Sequence, residues 1–336
     1  MIWLSWRQFR IQAVTVYAAV AAFAVALAIT GPRLFDLQRS GLNVFDQLTR
    51  IDRNLYDAGL VLMAVAPAII GAFWGSPMVA RELETGTHRL AWTQSVTRTR
   101  WLATKLGIAI LATAAAMGVL ALAVTWWAEP IDGATSETRG GIPARLTPVA
   151  FAMRGVVPVG YAVFALALGV AVGAVLRRTV PAMAVTLALF TLVQLAVPAW
   201  VRPHLLPPTQ ETVTITEENF DGLGIKPDGT AQLTMSTGSP DDWILSNRTV
   251  DASGQAVNPL PLLTDCVPPR PLTEPTQRLP LGTCFERLTD AGYRQQLTYH
   301  PASRFWPLQW TETALFLALS GLLAWFCFWW TRRRLA

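Results

Sequence analysis

Six stretches of this chain carry no charged side chain: 11–30, 58–80, 106–127, 155–176, 179–201 and 313–331. Each holds 19 to 23 residues, close to the roughly 20 that a helix needs to cross about 30 Å of hydrocarbon at about 1.5 Å per residue. One such run can be a buried core helix, but no soluble domain of 336 residues buries six. Charged residues make up only 15% of the chain against 52% hydrophobic, too few to coat a water-facing surface. The chain therefore reads as an all-α polytopic membrane protein with six transmembrane helices. The first run follows a basic start, and Ala26-Leu27-Ala28 resembles a secretory cleavage site. It is longer than a signal core and five more spans come after it, so it too reads as a span.

Basic residues set the orientation. With the N-terminus in the cytosol, twelve fall on cytosolic segments: Arg7, Arg10, Arg81, Arg89, Arg98, Arg100, Lys105, Arg177, Arg178, Arg332, Arg333 and Arg334. The two shorter outer loops, 31–57 and 128–154, hold seven. Both termini are expected in the cytosol. The net charge of +5 then reflects topology, with anionic membrane lipids rather than nucleic acid as its counterpart. Arg far outnumbers Lys, present only as Lys105 and Lys226, a bias associated with high-GC bacteria. A bacterial plasma membrane is the expected location.

Residues 1–10 are aromatic and basic, with Ile2, Trp6 and Phe9 on one helical side. They suit a short interfacial helix, or the cytosolic end of span one. Residues 11–201 hold spans one to five and residues 313–336 the sixth span with its basic tail. Pro67 inside span two is expected to kink it or loosen its hydrogen bonding. The loop 31–57 balances four Arg against four Asp and reads as solvated and partly helical. Residues 202–312 hold 14 of the 23 prolines and 13 of the 22 acidic residues, which argues against long helices. Thr212–Thr216 and Gln232–Ser236 alternate apolar and polar, as short strands do, with turns at Asp228-Gly229 and Ser253-Gly254. A small β-containing extracytoplasmic domain is expected between helices five and six. It holds Cys266 and Cys284, an even set on the oxidising side, which reads as a disulfide; two free thiols are the alternative. Cys327 lies among aromatic residues of span six and reads as packing.

A membrane-embedded enzyme or ion-coupled carrier needs ionisable groups within its spans, and the charge-free runs offer none. Asp57, Arg154 and Glu312 fall at span edges, where water is expected to reach them. His88, His204 and His300 lie in different loops without ligand spacing, so no metal site and no cofactor is expected. Gln194 is the most polar group well inside a span; a helix-to-helix hydrogen bond is the ordinary reading. No phosphate-binding Gly-x-x-x-x-Gly-Lys-Ser/Thr loop occurs. Any ATP-driven work must draw on another chain.

The cytosolic loop between spans two and three, 78–104, is the natural entry point. Span two is expected to continue through Arg81, Glu82 and Glu84 and stop at Gly86. Thr87 can cap a short helix carrying Leu90 and Trp92, and Thr97 can cap span three. Leu90 and Trp92 suit a partner's groove, the alternative being headgroup contact. The Arg81-Glu82-x-Glu84-x-Gly86-Thr87 stretch resembles the intracellular loop of type-two ABC exporter permeases. Val96, Arg98, Arg100 and Lys105 match the family's later pattern loosely, without the proline often found at the turn. Six spans with the largest outer insertion between five and six are similar to the ABCG-like group, and Phe73–Pro77 and Arg304–Trp310 resemble actinobacterial permeases.

The resemblance implies a non-catalytic permease, dimeric with a second copy of itself, coupled through Arg81, Glu82, Glu84, Gly86, Thr87, Leu90 and Trp92 to a separate ABC ATPase. It also implies that spans two and five face the pathway, making Met63, Phe73, Trp74, Phe190, Thr191 and Gln194 the expected lining. Such an apolar lining fits amphiphilic cargo such as a lipid, peptide or antibiotic. The alternative is a membrane sensor or assembly subunit that signals to an ATPase without passing cargo.

Overall fold

The computed structural model describes residues 2–41, 44–86, 97–134, 142–225, 231–257 and 281–334, with backbone alone for 2–13, 223–225, 231 and 281. Two compact units emerge, Met1–Leu205 with Phe305–Ala336, and Leu206–Arg304. The second falls inside the expected 202–312, because Arg202 and the residues from Phe305 onward belong to helices of the first.

Among the described residues, six helices are long and apolar enough to cross a membrane: Val14–Arg39, Arg50–Glu84, Arg98–Asp132, Val157–Leu176, Thr179–His204 and Ala302–Arg333. They are spans one to six in chain order. Residues 2–10 run without a break into span one, as one helix Ile2–Arg39 that also passes through Pro32. Beside Pro32, Gly31 lets span three approach, since a Cβ there would meet the Trp126 ring at 2.5 Å. Trp127 donates its indole N–H to the Thr30 hydroxyl at 2.9 Å. Span two opens on a capping box. The Thr49 hydroxyl accepts from the Asp52 N–H at 3.3 Å, and Asp52 accepts from the Thr49 N–H at 2.9 Å. Arg33 closes the corner, 2.8 Å from the buried Asp52 carboxylate.

Span four is the central helix: 72% of its apolar stretch is buried, against 50% or less in the other five. Its sequence explains why. In lipid, helix association rests on close packing rather than on a hydrophobic drive, so interfaces need small residues. Span four carries Gly169-Val-Ala-Val-Gly173 and span two carries Gly71-Ala-Phe-Trp-Gly75, and the two motifs meet face to face. A Cβ on Gly71 would lie 2.6 Å from the Ala165 carbonyl oxygen, and one on Gly75 2.5 Å from that of Leu166. One on Gly173 would lie 2.5 Å from the Ser76 carbonyl oxygen, and one on Gly169 would overlap that of Gly71.

The same stretch of span two, Ile70–Gly75, is a π turn rather than α-helix. Pro67, one turn earlier, supplies no N–H to the ladder, so the expected loosening takes this wider form. The π turn ends at Ser76, whose N–H reaches back to the Gly71 carbonyl. The Ser76 hydroxyl lies 2.8 Å from that of Thr186 on span five. Spans two, four and five are thereby joined at one level. Span six packs on the opposite side of span four, where Gly160 meets the Thr313 backbone and Tyr161 and Phe164 pack edge-on against Phe316 at 4.6 and 5.2 Å.

The described residues of the insertion, Leu206–Arg304, hold five strands: β1 (Thr209–Val213), β2 (Phe220–Ile225), β3 (Ala231–Met235), β4 (Trp243–Val250) and β5 (Arg294–His300). Antiparallel pairing gives a three-stranded sheet in the order β1-β5-β4 and a β2-β3 hairpin. The first expected strand sits three residues early and the second one residue early. A helix, Leu281–Asp290, buries Phe285 and Leu288 against Ile215, Leu233, Met235 and Leu297. Polar side chains stitch the two sheets together: buried Gln295 donates to the Leu233 carbonyl at 3.0 Å, and Asn247 to that of Met235 at 2.7 Å. The Ser253-Gly254 turn is present, with Gly254 at φ +83° and Asp251 accepting from the Ser253 and Gln255 N–H groups.

The span two–span four contact makes a prediction. Gly169→Ala is expected to destabilise the bundle by about 1–3 kcal/mol through overpacking. Gly107→Ala, at a helical site with open space, should leave stability unchanged or raise it slightly. Thermal unfolding in detergent separates them; equal midpoints would contradict the packing argument.

Candidate functional site

At one end of the bundle, spans two and three approach the segment 87–96. The helix Ser76–Glu84 stops as expected. Thr85 ends it, and Gly86 turns the chain at φ +74°, a conformation that glycine adopts without strain. On the far side, the Thr97 hydroxyl accepts from the Arg100 N–H at 3.3 Å and caps span three. Thr87, Leu90 and Trp92 lie outside the described residues.

The two glutamates of the motif are engaged within the chain. Glu82 forms an ion pair with Lys105 on span three, and Lys105 is buried with its ammonium 4.9 Å over the Trp101 ring. Glu84 reaches span five instead. That helix starts after Arg178 with no cap of its own. Glu84 supplies one from span two, accepting from the Thr179 N–H at 2.9 Å and its hydroxyl at 2.7 Å. A carboxylate is favourable there because it meets the positive end of the helix dipole. Glu82 and Glu84 thus fasten the end of span two to spans three and five, while Arg81 is exposed.

The six expected lining residues separate into two groups. Phe73, carried outward by the π turn, is 54% exposed, and Thr191 is exposed on span five. Met63, Trp74 and Phe190 are buried, Phe190 edge-on to Tyr161 at 6.4 Å. Gln194 donates to the Ala64 carbonyl of span two at 3.0 Å, the helix-to-helix bond expected of it.

At the opposite end of the bundle the sequence reading needs correction. Arg154 and Glu312, expected to reach water from span edges, are both buried. Glu312 of span six receives Arg202, also fully buried, through Nε at 2.7 Å and Nη2 at 3.0 Å. Tyr161 of span four donates to Glu312 and accepts from Arg202 at 3.2 Å. Arg202 also donates to the Pro148 carbonyl at 2.8 Å and stacks 4.4 Å over the Phe151 ring. A second π turn, Val197–Val201, precedes it. One extra residue rotates the remainder of the helix by about 100° at 3.6 residues per turn. That rotation turns Arg202 from the lipid-facing side toward Glu312. Alongside, Arg154 pairs with Asp132 at the end of span three. Gln309 caps span four from span six, accepting from the Val156 and Val157 N–H groups at 3.0 Å.

A family model described as "ABC-2 membrane transporter related" matches residues 13–202, more than half of the chain. The chain belongs to the ABC-2 membrane transporter related family. Comparison with curated proteins and with solved structures gave no match. Membership makes the chain a multi-pass permease subunit of an ABC transporter, in a family that works with an ABC ATPase. The matched region covers spans one to five and ends at Arg202, so the insertion and span six lie beyond it.

In this ABC-2 permease the Arg202–Glu312–Tyr161 cluster is the polar group that sequence reasoning missed. Its signals were faint: a proline four residues before Arg202, and a lone acid beside the apolar run of span six. Breaking a buried ion pair from one side leaves an uncompensated charge. Glu312→Ala is therefore expected to cost about 3–5 kcal/mol, and Tyr161→Phe about 1 kcal/mol. The double change Arg202→Met, Glu312→Leu should cost less than Glu312→Ala alone. Thermal unfolding of the purified variants decides; a double variant that costs as much as Glu312→Ala or more would refute the pairing argument.

Proposed function

We propose that this ABC-2 permease is the membrane half of an exporter, working as a homodimer with both termini cytosolic. A separately encoded ATPase drives it through the segment 87–96, and amphiphilic cargo moves outward. The observation that carries this reading is the double fastening at the end of span two. Glu82 holds span three and Glu84 holds span five, so a push on the segment between Gly86 and Thr97 displaces three spans together. Thr87, Leu90 and Trp92 are the proposed contacts to the ATPase. Span five, with only 22% of its apolar stretch buried, is then the movable wall, and span four the fixed one.

In this reading Phe73 and Thr191, exposed on spans two and five, contact cargo between the two copies. Met63, Trp74, Phe190 and Gln194 form the wall behind them. The experiment is co-expression with an ABC ATPase encoded beside this chain and purification through this chain. The wild type is expected to retain the ATPase and its activity. Leu90→Glu with Trp92→Glu should lower both at least tenfold, since buried apolar contacts of this kind cost about 2 kcal/mol or more each. No association in lipid would overturn the exporter reading. Full association with no effect of Phe73→Ala on cargo-stimulated hydrolysis would favour a sensor.

We also propose a Cys266–Cys284 disulfide in the insertion. Cys284 is buried on the helix Leu281–Asp290; Cys266 lies outside the described residues. Cross-linking a loop of this length stabilises by about 3 kcal/mol. A non-reducing peptide map should show the linked pair, and Cys284→Ser should lower the unfolding midpoint of the wild type to that of its reduced form. Recovery of Cys266 and Cys284 both alkylated without reductant would exclude the bond.

A further inference from the structure

An open groove of about 420 Å³ runs between spans four, five and six, walled by Leu168, Val172 and Val175 of span four, Val185 of span five, and Leu323 and Phe326 of span six. All of its lining side chains are apolar, and its volume is in the range of a small-molecule site. From Leu168 to Val175 it extends about 10 Å along the helix, at about 1.5 Å per residue.

The groove ends where the helices change character. Span four stops at Leu176 and is followed by Arg177 and Arg178; span six continues from Phe326 to Arg332, Arg333 and Arg334. All five arginines are exposed. Arg177 bridges the two walls, donating to the Arg334 carbonyl at 3.0 Å, and Arg333 stands 5.9 Å over the Trp329 ring. The backbone at Arg177 is left-handed, φ 54°, the one non-glycine residue in that conformation among those described. Glycine takes this shape without strain, whereas here a guanidinium is held at the mouth. The carboxylate facing this rim is Glu84, which accepts from Thr179 and stands near Arg178; Glu82 is paired with Lys105.

We propose that this groove is a binding site for an anionic phospholipid, with one acyl chain along spans four and six and the phosphate on Arg177 and Arg178. An apolar slot ending in a basic rim at the level where helices leave the bilayer matches both halves of such a molecule, and guanidinium suits phosphate through paired N–H donors. Its lining includes none of the residues proposed for the pathway, and it does not depend on the direction of transport.

Native mass spectrometry of the purified, detergent-solubilised protein tests it, titrating phosphatidylglycerol against phosphatidylcholine of the same chains. The expected result is one phosphatidylglycerol per chain, held at least tenfold more tightly than phosphatidylcholine. Arg177→Asn with Arg178→Gln should abolish that preference; Asn tolerates the left-handed backbone. Val172→Trp should block both lipids, and Leu323→Trp repeats the block from the other wall should the first variant fold poorly. Equal retention of the two lipids by wild type would overturn the proposal, as would a preference insensitive to the two arginines. Efficient disulfide cross-linking of Val175→Cys between two copies in native membranes would also overturn it, giving the groove to a second chain.

Discussion

Spans two and four approach until one backbone touches the other, and most of the bundle is arranged around that contact. In hydrocarbon the apolar surface of a helix gains little by leaving lipid, so adhesion comes from atoms in contact and from polar groups that find partners. The facing glycine pairs, Gly71 with Gly75 and Gly169 with Gly173, make the approach possible. The cost falls on hydrogen bonding within span two, where Pro67 and the π turn relax the ladder. The Ser76 hydroxyl then turns the loosened stretch toward Thr186. A regular α-helix would rotate Ser76 and Phe73 to other sides, losing the tie to span five and the outward ring together.

Around that contact the bundle handles charge in one consistent way. Each buried pair lies where a helix ends: Glu82–Lys105 at one face, Arg202–Glu312 and Arg154–Asp132 at the other. Desolvating an ion is expensive, and it is recovered only where geometry and extra hydrogen bonds are good. Arg202 meets that condition with a two-point grip on Glu312, a carbonyl acceptor at Pro148 and an aromatic face at Phe151. Caps obey the same logic. Spans four and five lack side-chain caps of their own and take them from Gln309 and Glu84 on neighbouring helices. Each such cap ties a helix end to a neighbour, so helix ends that would otherwise fray become joints.

Composition and periodicity made the architecture legible: six uncharged runs correspond to six helices, and a proline-rich region to short strands. Gly86 and Thr97 were readable because caps and stops depend on local backbone chemistry. The buried charges were not, because a residue beside an apolar run looks the same whether it points to water or into a neighbour. Arg202 shows why. Its burial depends on a one-residue shift of helical phase by a π turn, a tertiary outcome that no local propensity encodes. Glu82 and Glu84 were legible as part of a motif at the end of span two, but their partners within the chain, Lys105 and Thr179, were not. The paired glycine motifs were present in the sequence all along; which helix each faced was not.

The placement of these joints gives the chain a definite mechanical grain. Below the π turn, the helix Ser76–Glu84 is held to span five twice, at Ser76–Thr186 and Glu84–Thr179, and to span three once, at Glu82–Lys105. Above it, span two contacts span five through Gln194 and Ala64, while the far end of span five is clamped to spans four and six by Arg202. A displacement entering at Gly86 is therefore shared at once with the start of span five and resisted at its end. Between these two fixed points lies the stretch of span five bearing Phe190 and Thr191, opposite the π turn that exposes Phe73. A π turn tolerates small changes of helical phase more easily than a straight α-helix, because its wider ring already departs from the regular ladder. Strain applied at one end and held at the other concentrates where the ladder is weakest, and in this permease that place is the π turn Ile70–Gly75.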